Sequence, residues 1–212
     1  MNRPRLLLAD DHRIVVEGLR GILSPEFDLV GIVEDGRELV DAARQLKPDV
    51  IVADISMPLL NGLEAVLQLK KEGSQAKVVF LTMHKDTTYA ARAIEVGASG
   101  FVLKHCASTE LLAAIRAALS GQIYLTPEIA EGLERSVTAR TTTDRFPSLT
   151  PRQREVLQLF AEGQSAREVA AILHISNRTA ENHKARIMDV LSLTSTSDLV
   201  QYAIRHGIIA PG

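Results

Sequence analysis

The first 120 residues alternate short apolar runs with longer segments of helical periodicity. Runs rich in Leu, Ile, Val and Ala are typical of strands that are buried on both faces. We predict five such strands, at Leu6–Ala9, Leu29–Val33, Val50–Ala53, Val78–Leu81 and Gly100–Leu103. Amphipathic helices are predicted at Ile14–Leu23, Leu39–Leu46, Leu63–Lys70, Tyr89–Val96 and Leu111–Leu119. This strict alternation predicts an α/β fold, a doubly wound parallel sheet with right-handed crossovers and helices on both faces.

The pattern changes after residue 120. Thr126 and Pro127 can begin a short helix that extends to Val137, whereas 138–148 contain too few apolar residues to pack against a core. We therefore predict a linker over 121–148. The α/β domain is then expected over 1–120 and a separate C-terminal domain over 149–212.

The C-terminal domain is predicted to be an all-α bundle of four short helices. The segments Thr150–Gln153 and Ser165–Glu168 have the pattern of capping boxes, in which the first and fourth residues exchange hydrogen bonds at a helix start. Pro151 fits the first helical position, because its missing N–H has no partner there in any case. Ser176 and the segment Ser195–Asp198 are typical of two further helix starts.

The third of these helices, which begins after Ser176, has two distinct faces. Helical spacing places four side chains on a face that we expect to be mostly buried, namely Ala180, His183, Ile187 and Val190. The charged and amide side chains then lie on the sides that face solvent or a bound groove: Arg178, Glu181, Asn182, Lys184 and Arg186.

Composition narrows the class of protein. The single cysteine, Cys106, cannot form an internal disulfide, which is typical of a reducing cytoplasm. The first apolar run, Leu6–Ala9, is too short for a signal peptide, and no run approaches the ~20 residues of a membrane span. We therefore expect a cytoplasmic protein with no membrane association. The net charge is −2, so charge alone does not indicate a nucleic-acid partner.

Polar side chains stand at the carboxyl ends of four predicted strands. Asp10 and Asp11 follow the first strand, Asp54 the third, Thr82 the fourth and Lys104 the fifth. These ends form one edge of a parallel sheet, where doubly wound folds bind ligands. Converging carboxylates require a cation, and oxygen ligands suit Mg²⁺. A carboxylate can also act as a nucleophile and form an acyl phosphate, whose oxygens an ammonium and a hydroxyl would stabilise.

These residues resemble the receiver domain of two-component response regulators over 3–120. The matching strings are Asp10-Asp11, Asp54-Ile-Ser-Met-Pro58 with Gly62, Leu81-Thr82 and Lys104. The resemblance implies a flavodoxin-like, five-stranded sheet of order 2-1-3-4-5. It also implies that Asp54 accepts a phosphoryl group from a sensor histidine kinase.

The resemblance assigns roles to the neighbouring residues as well. Asp11 and Asp54 would bind Mg²⁺ directly, Asp10 partly through water, and Ser56 through its backbone carbonyl. Lys104 and Thr82 would hold the phosphoryl group. Phe101 stands where receivers carry the aromatic side chain that rotates inward together with the threonine.

Residues 149–207 resemble a LuxR-type helix-turn-helix, and a receiver joined to this module defines the NarL/FixJ family. The resemblance implies a second helix over Arg167–Leu173, a turn around His174–Ser176, and a recognition helix over Asn177–Leu191. This recognition helix would enter the major groove of double-stranded DNA. Because one recognition helix buries too little surface for tight specific binding, we expect the phosphorylated protein to bind DNA as a homodimer. The expected DNA-binding residues are Ser165, Arg167, Ser176, Arg178, Thr179, Glu181, Asn182, Lys184 and Arg186.

The alternative class is an enzyme on a doubly wound fold, such as an aspartate-nucleophile phosphatase or a nucleotide-binding protein. Haloacid-dehalogenase-type phosphatases carry a second carboxylate two residues after the nucleophile, where Ser56 stands here. The two glycine-rich motifs of nucleotide-binding proteins, Gly-x-Gly-x-x-Gly and Gly-x-x-x-x-Gly-Lys-Ser/Thr, are both absent from the sequence. We therefore expect self-phosphorylation but not a turnover enzyme. The sequence leaves open whether phosphorylation relieves inhibition or builds a dimer.

Overall fold

The computed structural model of the protein describes residues 3–83, 87–138, 149–206 and 208–209. By its contacts the chain divides into two compact units. The first contains 1–57 and 62–141, and the second contains 58–61 and 142–212. Each unit is described by itself.

The first unit alternates strands and helices as the hydrophobic pattern predicts. Its elements are β1 (Arg5–Ala9), α1 (Arg13–Leu23), β2 (Asp28–Val33), α2 (Gly36–Leu46), β3 (Val50–Ala53), α3 (Gly62–Lys71), β4 (Lys77–Thr82), α4 (Thr87–Glu95), β5 (Gly100–Leu103), α5 (Ala107–Leu119), β6 (Tyr124–Leu125) and α6 (Pro127–Thr138).

The strands form one parallel sheet of order β2-β1-β3-β4-β5-β6. The predicted order 2-1-3-4-5 is confirmed, but the count of five strands is wrong because β6 pairs with β5. Thr126, next to β6, donates its backbone N–H to the Phe101 carbonyl, and its hydroxyl accepts from the Leu103 N–H. The stretch expected as a linker therefore contains β6 and the short helix α6, while 139–148 lie outside the described residues.

Helices cover both faces of the sheet. Leu6 and Leu8 of β1 pack with Val102 of β5 in a buried cluster, to which α1 and α5 contribute. Because successive side chains of a strand point to opposite faces, Leu7 and Phe101 lie on the other side. On that side, α2 contacts β1 and β2, and α4 contacts β5. This places the carboxyl ends of the central strands between two helical layers.

The second unit contains four helices among its described residues: α7 (Pro151–Ala161), α8 (Ala166–Leu173), α9 (Asn177–Val190) and α10 (Thr196–Arg205). The predicted capping boxes at Thr150 and Ser165 are both present, and Ser195 forms a third with Asp198. The Ser176 side chain accepts from the Thr179 N–H and caps α9. Such caps satisfy N–H groups that the first turn of a helix leaves without partners.

The buried face of α9 differs from the prediction at one end. Ala180 and Ile187 are fully buried and His183 is half-buried, but Val190 is 45% exposed, so its predicted burial is wrong. Leu191 packs against the core in its place. At 3.6 residues per turn, Leu191 returns to within about 20° of Ala180, whereas Val190 lies about 80° away.

The ends of α8 and α9 adopt left-handed backbone conformations without glycine. His174 has a φ of 53° and Ser192 a φ of 52°. At Ser192 the chain turns so that the Leu193 N–H donates to the Met188 carbonyl at 2.8 Å, which closes the helix end. None of the helices within the described ranges is long and apolar enough to cross a membrane.

Candidate functional site

The polar residues predicted at the strand ends do converge at one edge of the sheet. Lys104 lies just after β5, with its Nζ 2.7 Å from Asp54 Oδ2 and 2.8 Å from Asp10 Oδ2. Asp10 follows β1 and Asp54 follows β3, and the two residues are 1% and 3% exposed. Thr82, the last residue of β4, is also fully buried. We call Asp10, Asp11, Asp54, Thr82 and Lys104 the acidic pocket.

Burial and charge oppose each other in the acidic pocket. Burial raises the pKa of the Asp54 carboxyl above its ordinary value, and the nearby Asp10 carboxylate adds to this, although the Lys104 ammonium acts in the opposite direction. For Lys104, burial alone would lower the pKa, but the two carboxylates raise it above its ordinary value. The ammonium therefore stays charged, and it compensates only part of the negative charge.

The oxygens of the acidic pocket fit a divalent cation. Asp10 Oδ2 and Asp11 Oδ1 are buried oxygens for which no hydrogen bond forms within the described part of the chain, although each has a charged or polar neighbour. Potential ligand atoms of Asp10, Asp11, His12 and Asp54 all lie within 4.8 Å of one another. The negative charges of the three carboxylates exceed the single positive charge of Lys104. A hard cation such as Mg²⁺ binds such oxygen ligands and would compensate the remaining negative charge.

His12 is a member of this group that the sequence-based prediction missed. Its Nδ1 lies 2.8 Å from Asp11 Oδ1 and 3.2 Å from Asp10 Oδ1. Its backbone N–H donates to Asp10 Oδ1 at 2.9 Å. Its position directly after the Asp10-Asp11 pair is a signal that could have indicated this role.

Two backbone features hold Asp54 in place. The Ser56 N–H lies 3.3 Å from Asp54 Oδ1, to which it donates. Gly62, at the start of α3, packs directly against the Asp54 carbonyl: a Cβ at this position would lie 2.1 Å from that oxygen. The Gly62 N–H also donates to the Ile55 carbonyl at 2.8 Å. Only glycine fits this approach of α3 to β3.

Phe101 is buried in β5, directly opposite Phe80 of β4 in the sheet register. Its carbonyl accepts the hydrogen bond from the Thr126 N–H, and the Thr126 hydroxyl bonds to the Leu103 N–H beside Lys104. β6 thereby joins the strand that carries Phe101 to the start of α6. This role of Thr126 is a second feature that the sequence pattern did not predict.

The residues predicted to bind DNA divide into helix caps and exposed side chains. Ser165 and Ser176 are exposed and cap α8 and α9, and Thr179 Oγ1 lies 2.8 Å from Ser176 Oγ. The remaining side chains are exposed with one exception, Lys184; the exposed ones are Arg167, Arg178, Glu181, Asn182 and Arg186.

Lys184 departs from the expected solvent-facing position. It is half-buried, and its ammonium lies 4.7 Å from the centre of the Phe160 ring of α7. The reason is again helical geometry, because Lys184 lies only about 40° from Ala180 on α9, within the buried side of the helix. Its charge therefore contacts an aromatic face, in a cation–π arrangement.

The fold and these two sites define a class of protein. A parallel sheet with an acidic pocket and a lysine at its carboxyl edge has the architecture of a receiver, and the four-helix unit has that of a helix-turn-helix. Residues 6–116 match the response regulator receiver domain, and residues 147–203 match the luxR family of bacterial regulatory proteins. The chain belongs to the response regulators that join a receiver domain to a LuxR-type helix-turn-helix, a family of DNA-binding transcription regulators.

Relatives match over nearly the whole chain. The transcriptional regulatory protein MctR of Rhizobium johnstonii is 34% identical, with 97% of this chain and 95% of MctR covered. The response regulator UvrY of Escherichia coli is 32% identical, with 96% and 94% covered. A structure of the RcsB response regulator of Salmonella typhimurium has a TM-score of 0.65 at 29% identity, with 95% and 97% covered. Another, of two RcsB dimers bound to two parallel DNAs, has a TM-score of 0.61 at 29% identity, with 95% and 98% covered.

Proposed function

We propose that the protein is a phosphorylation-controlled transcription regulator in which Asp54 accepts a phosphoryl group from a sensor histidine kinase. The observation that carries this proposal is the position of the Lys104 ammonium between the buried carboxylates of Asp10 and Asp54. A purely structural ion pair would need one carboxylate, because a second buried charge is costly unless it is compensated. Two carboxylates with one ammonium fit a site that binds further cationic charge.

In the proposed reaction an Asp54 carboxylate oxygen attacks the phosphorus of a phosphohistidine. The P–N bond breaks, its electron pair leaves with the imidazole nitrogen, and an acyl phosphate forms on Asp54. The Ser56 N–H orients the carboxylate through Oδ1. Lys104, which now contacts Asp54 Oδ2, would pair with the incoming phosphoryl oxygens, and the Thr82 hydroxyl would donate a hydrogen bond to one of them.

Mg²⁺ is the cofactor that these residues fit. Asp11 and Asp54 would hold it directly, Asp10 partly through water, and Ser56 through its backbone carbonyl. When bound, it supplies positive charge that neutralises the carboxylates and the transferring phosphoryl oxygens. The chain modifies itself in this reaction and has no proposed role as a turnover enzyme.

Double-stranded DNA is the proposed target of the second unit. One recognition helix buries little surface, and helix-turn-helix proteins read paired half-sites as dimers. The dimers of the related RcsB on DNA support a homodimer of this chain, formed when Asp54 is phosphorylated. Thr82 and Phe101 would carry the change from the phosphorylated site. Contacts to phosphates would position the protein, with Arg167, Arg178 and Arg186 as the exposed arginines.

Glu181 is proposed to read sequence, since an exposed carboxylate repels phosphate and cannot be there for affinity. In the major groove it can accept a hydrogen bond from the amino group of cytosine. Glu181→Ala is expected to relax the preference at one base pair per half-site by about 1–3 kcal/mol, with non-specific affinity equal or slightly higher. Selection of binding sites from a random pool measures this. An unchanged consensus would mean that Glu181 is only a solvated side chain.

Labelling by a small phosphodonor tests the proposed reaction. Acetyl phosphate with Mg²⁺ is expected to label the protein, Asp54→Asn to abolish labelling, and Asp11→Ala to weaken it. Intact mass spectrometry measures the added phosphoryl group. Equal labelling in EDTA, or full labelling of Asp54→Asn, would contradict the assignment.

A further inference from the structure

We propose that His12 is a nitrogen ligand of the metal bound in the acidic pocket, and that it gives the pocket a high affinity for Zn²⁺ and Co²⁺ in addition to Mg²⁺. This rests on the proposed function only in so far as the same carboxylates bind the metal. Binding of Mg²⁺ would depend on the carboxylates, whereas binding of Zn²⁺ and Co²⁺ would depend on both the carboxylates and His12.

The position of the imidazole supports the assignment. His12 Nδ1, and not merely some other part of the ring, faces the pocket, at 2.8 Å from Asp11 Oδ1 and 3.2 Å from Asp10 Oδ1. Ligand bonds of about 2.0–2.2 Å place neighbouring ligand atoms of one ion about 2.8–3.6 Å apart. Nδ1 and the carboxylate oxygens therefore have the spacing of ligands that share one ion.

The burial of the carboxylates supplies a second observation. Asp10 is 1% exposed, and its Oδ2 lies 2.8 Å from the Lys104 ammonium, which it shares with Asp54, so buried carboxylate charge remains for a metal ion. His12, in contrast, is 60% exposed. An ion held by the buried carboxylates can therefore be reached from the solvent side by the exposed imidazole of His12.

The chemistry of the donor atoms decides which metal ions bind more tightly when an imidazole is added to the carboxylate ligands. Mg²⁺ prefers oxygen ligands and retains several waters, so an added imidazole contributes little. Imidazole suits Zn²⁺ and other transition metals, which bind nitrogen and oxygen ligands together. Replacing the imidazole by the amide of glutamine keeps a polar side chain of similar length but offers an oxygen or a weakly basic nitrogen.

Calorimetric titration of the full chain with Mg²⁺, Zn²⁺ and Co²⁺ tests the proposal. His12→Gln is expected to lower the affinity for Zn²⁺ and Co²⁺ at least about tenfold, and the affinity for Mg²⁺ less than threefold. Loss of a residue that only hydrogen-bonds to a metal ligand already costs about tenfold or more in metal affinity, so loss of a ligand should cost at least as much. His105→Gln, a matched half-exposed histidine next to Lys104, is expected to change neither. Asp11→Asn, which removes a carboxylate shared by all three ions, is expected to weaken all of them. The visible absorption of bound Co²⁺ should lose the contribution of a nitrogen ligand in His12→Gln only.

An equal loss for Mg²⁺ and Zn²⁺ in His12→Gln would overturn the proposal, since His12 would then act only as a charge or hydrogen-bond partner of the carboxylates. An unchanged Zn²⁺ affinity in His12→Gln would overturn it as well. Labelling of Asp54 by acetyl phosphate with Mg²⁺ separates the two claims. If the wild type is not labelled, the proposed function fails whatever the titrations show. If it is labelled and His12→Gln binds Zn²⁺ normally, only the role of His12 fails.

Discussion

Replacing Gly62 by alanine tests whether the acidic pocket depends on the close approach of α3 to the backbone of Asp54. Helix propensity alone predicts a gain, because alanine is favoured over glycine in a helix by about 1 kcal/mol. Steric contact predicts the reverse. An added Cβ would lie 2.1 Å from the Asp54 carbonyl oxygen, and ordinary contact begins near 3.4 Å.

The structure shows why this contact cannot be relieved cheaply. The same Cβ would lie 3.1 Å from the Asp54 carbonyl carbon and 3.3 Å from Ile55 Cα, so backbone and not a flexible side chain must move. The Gly62 N–H is fixed to the Ile55 carbonyl. Overpacking costs about 1–3 kcal/mol and sometimes more, and here it would also move Asp54, the proposed nucleophile. We expect Gly62→Ala to lower the free energy of unfolding by at least about 2 kcal/mol and to reduce labelling of Asp54.

Gly18→Ala is the matched control, since Gly18 lies within α1 and a Cβ there would meet nothing within 4 Å. It is expected to raise the free energy of unfolding by about 0.5–1 kcal/mol, with labelling unchanged. Urea unfolding followed by circular dichroism measures both variants. The reasoning is refuted if Gly62→Ala is as stable as the wild type or more stable, with normal labelling.

Three other substitutions follow from the structure. Lys104→Ala leaves the buried Asp10 and Asp54 carboxylates without their ammonium and should cost about 3–5 kcal/mol at pH 7. Burial already raises the pKa of the Asp54 carboxyl above its ordinary value, so protonation of Asp54 should shrink this deficit relative to the wild type as the pH falls. A difference in melting temperature that does not change as the pH is lowered from 7 would contradict this. Lys184→Met should cost about 0.5–1 kcal/mol through loss of the cation–π contact but change the salt dependence of DNA binding by less than one unit of slope. A loss of a full unit would show a phosphate contact instead. Ser192→Gly should stabilise the second unit by about 1 kcal/mol, because Ser192 has a left-handed backbone; an unchanged or lower melting temperature would count against this.

Much of the fold was predictable because its signals are repeated along the chain. Each strand of four or more apolar residues and each capped helix start is a local pattern, and the capping boxes at Thr150 and Ser165 formed as their sequences indicate. β6 could not be predicted in this way, since two residues carry no periodicity. It exists because Thr126 and its neighbours pair with β5, a contact that is not local in sequence.

The acidic pocket was predictable in its main members because strand ends in a parallel sheet meet at one edge. The distances between these side chains, on which their proposed functions depend, could not be predicted from the sequence. His12 reaches the carboxylates through its ring orientation, which spacing does not determine. On α9 the two errors have different causes. Val190 was predicted to be buried because a spacing of three, four and three residues falls behind the helical repeat over three turns. Lys184 is one turn from Ala180, and its charge led to a solvent-facing prediction although its position lies within the buried side of the helix.

The central claim is that phosphorylation of Asp54 controls DNA binding, and DNA affinity with and without a phosphate mimic tests it most directly. The full chain would be titrated with DNA that carries the binding site selected from a random pool, in the presence of Mg²⁺ and with or without beryllofluoride. Light scattering would measure the mass of the complex. We expect beryllofluoride to raise the affinity at least about tenfold, or about 1.4 kcal/mol, and to give two chains per DNA site. Asp54→Asn should show no response. Equal affinity and a single chain per site in all conditions, or an equal response of Asp54→Asn, would contradict the account.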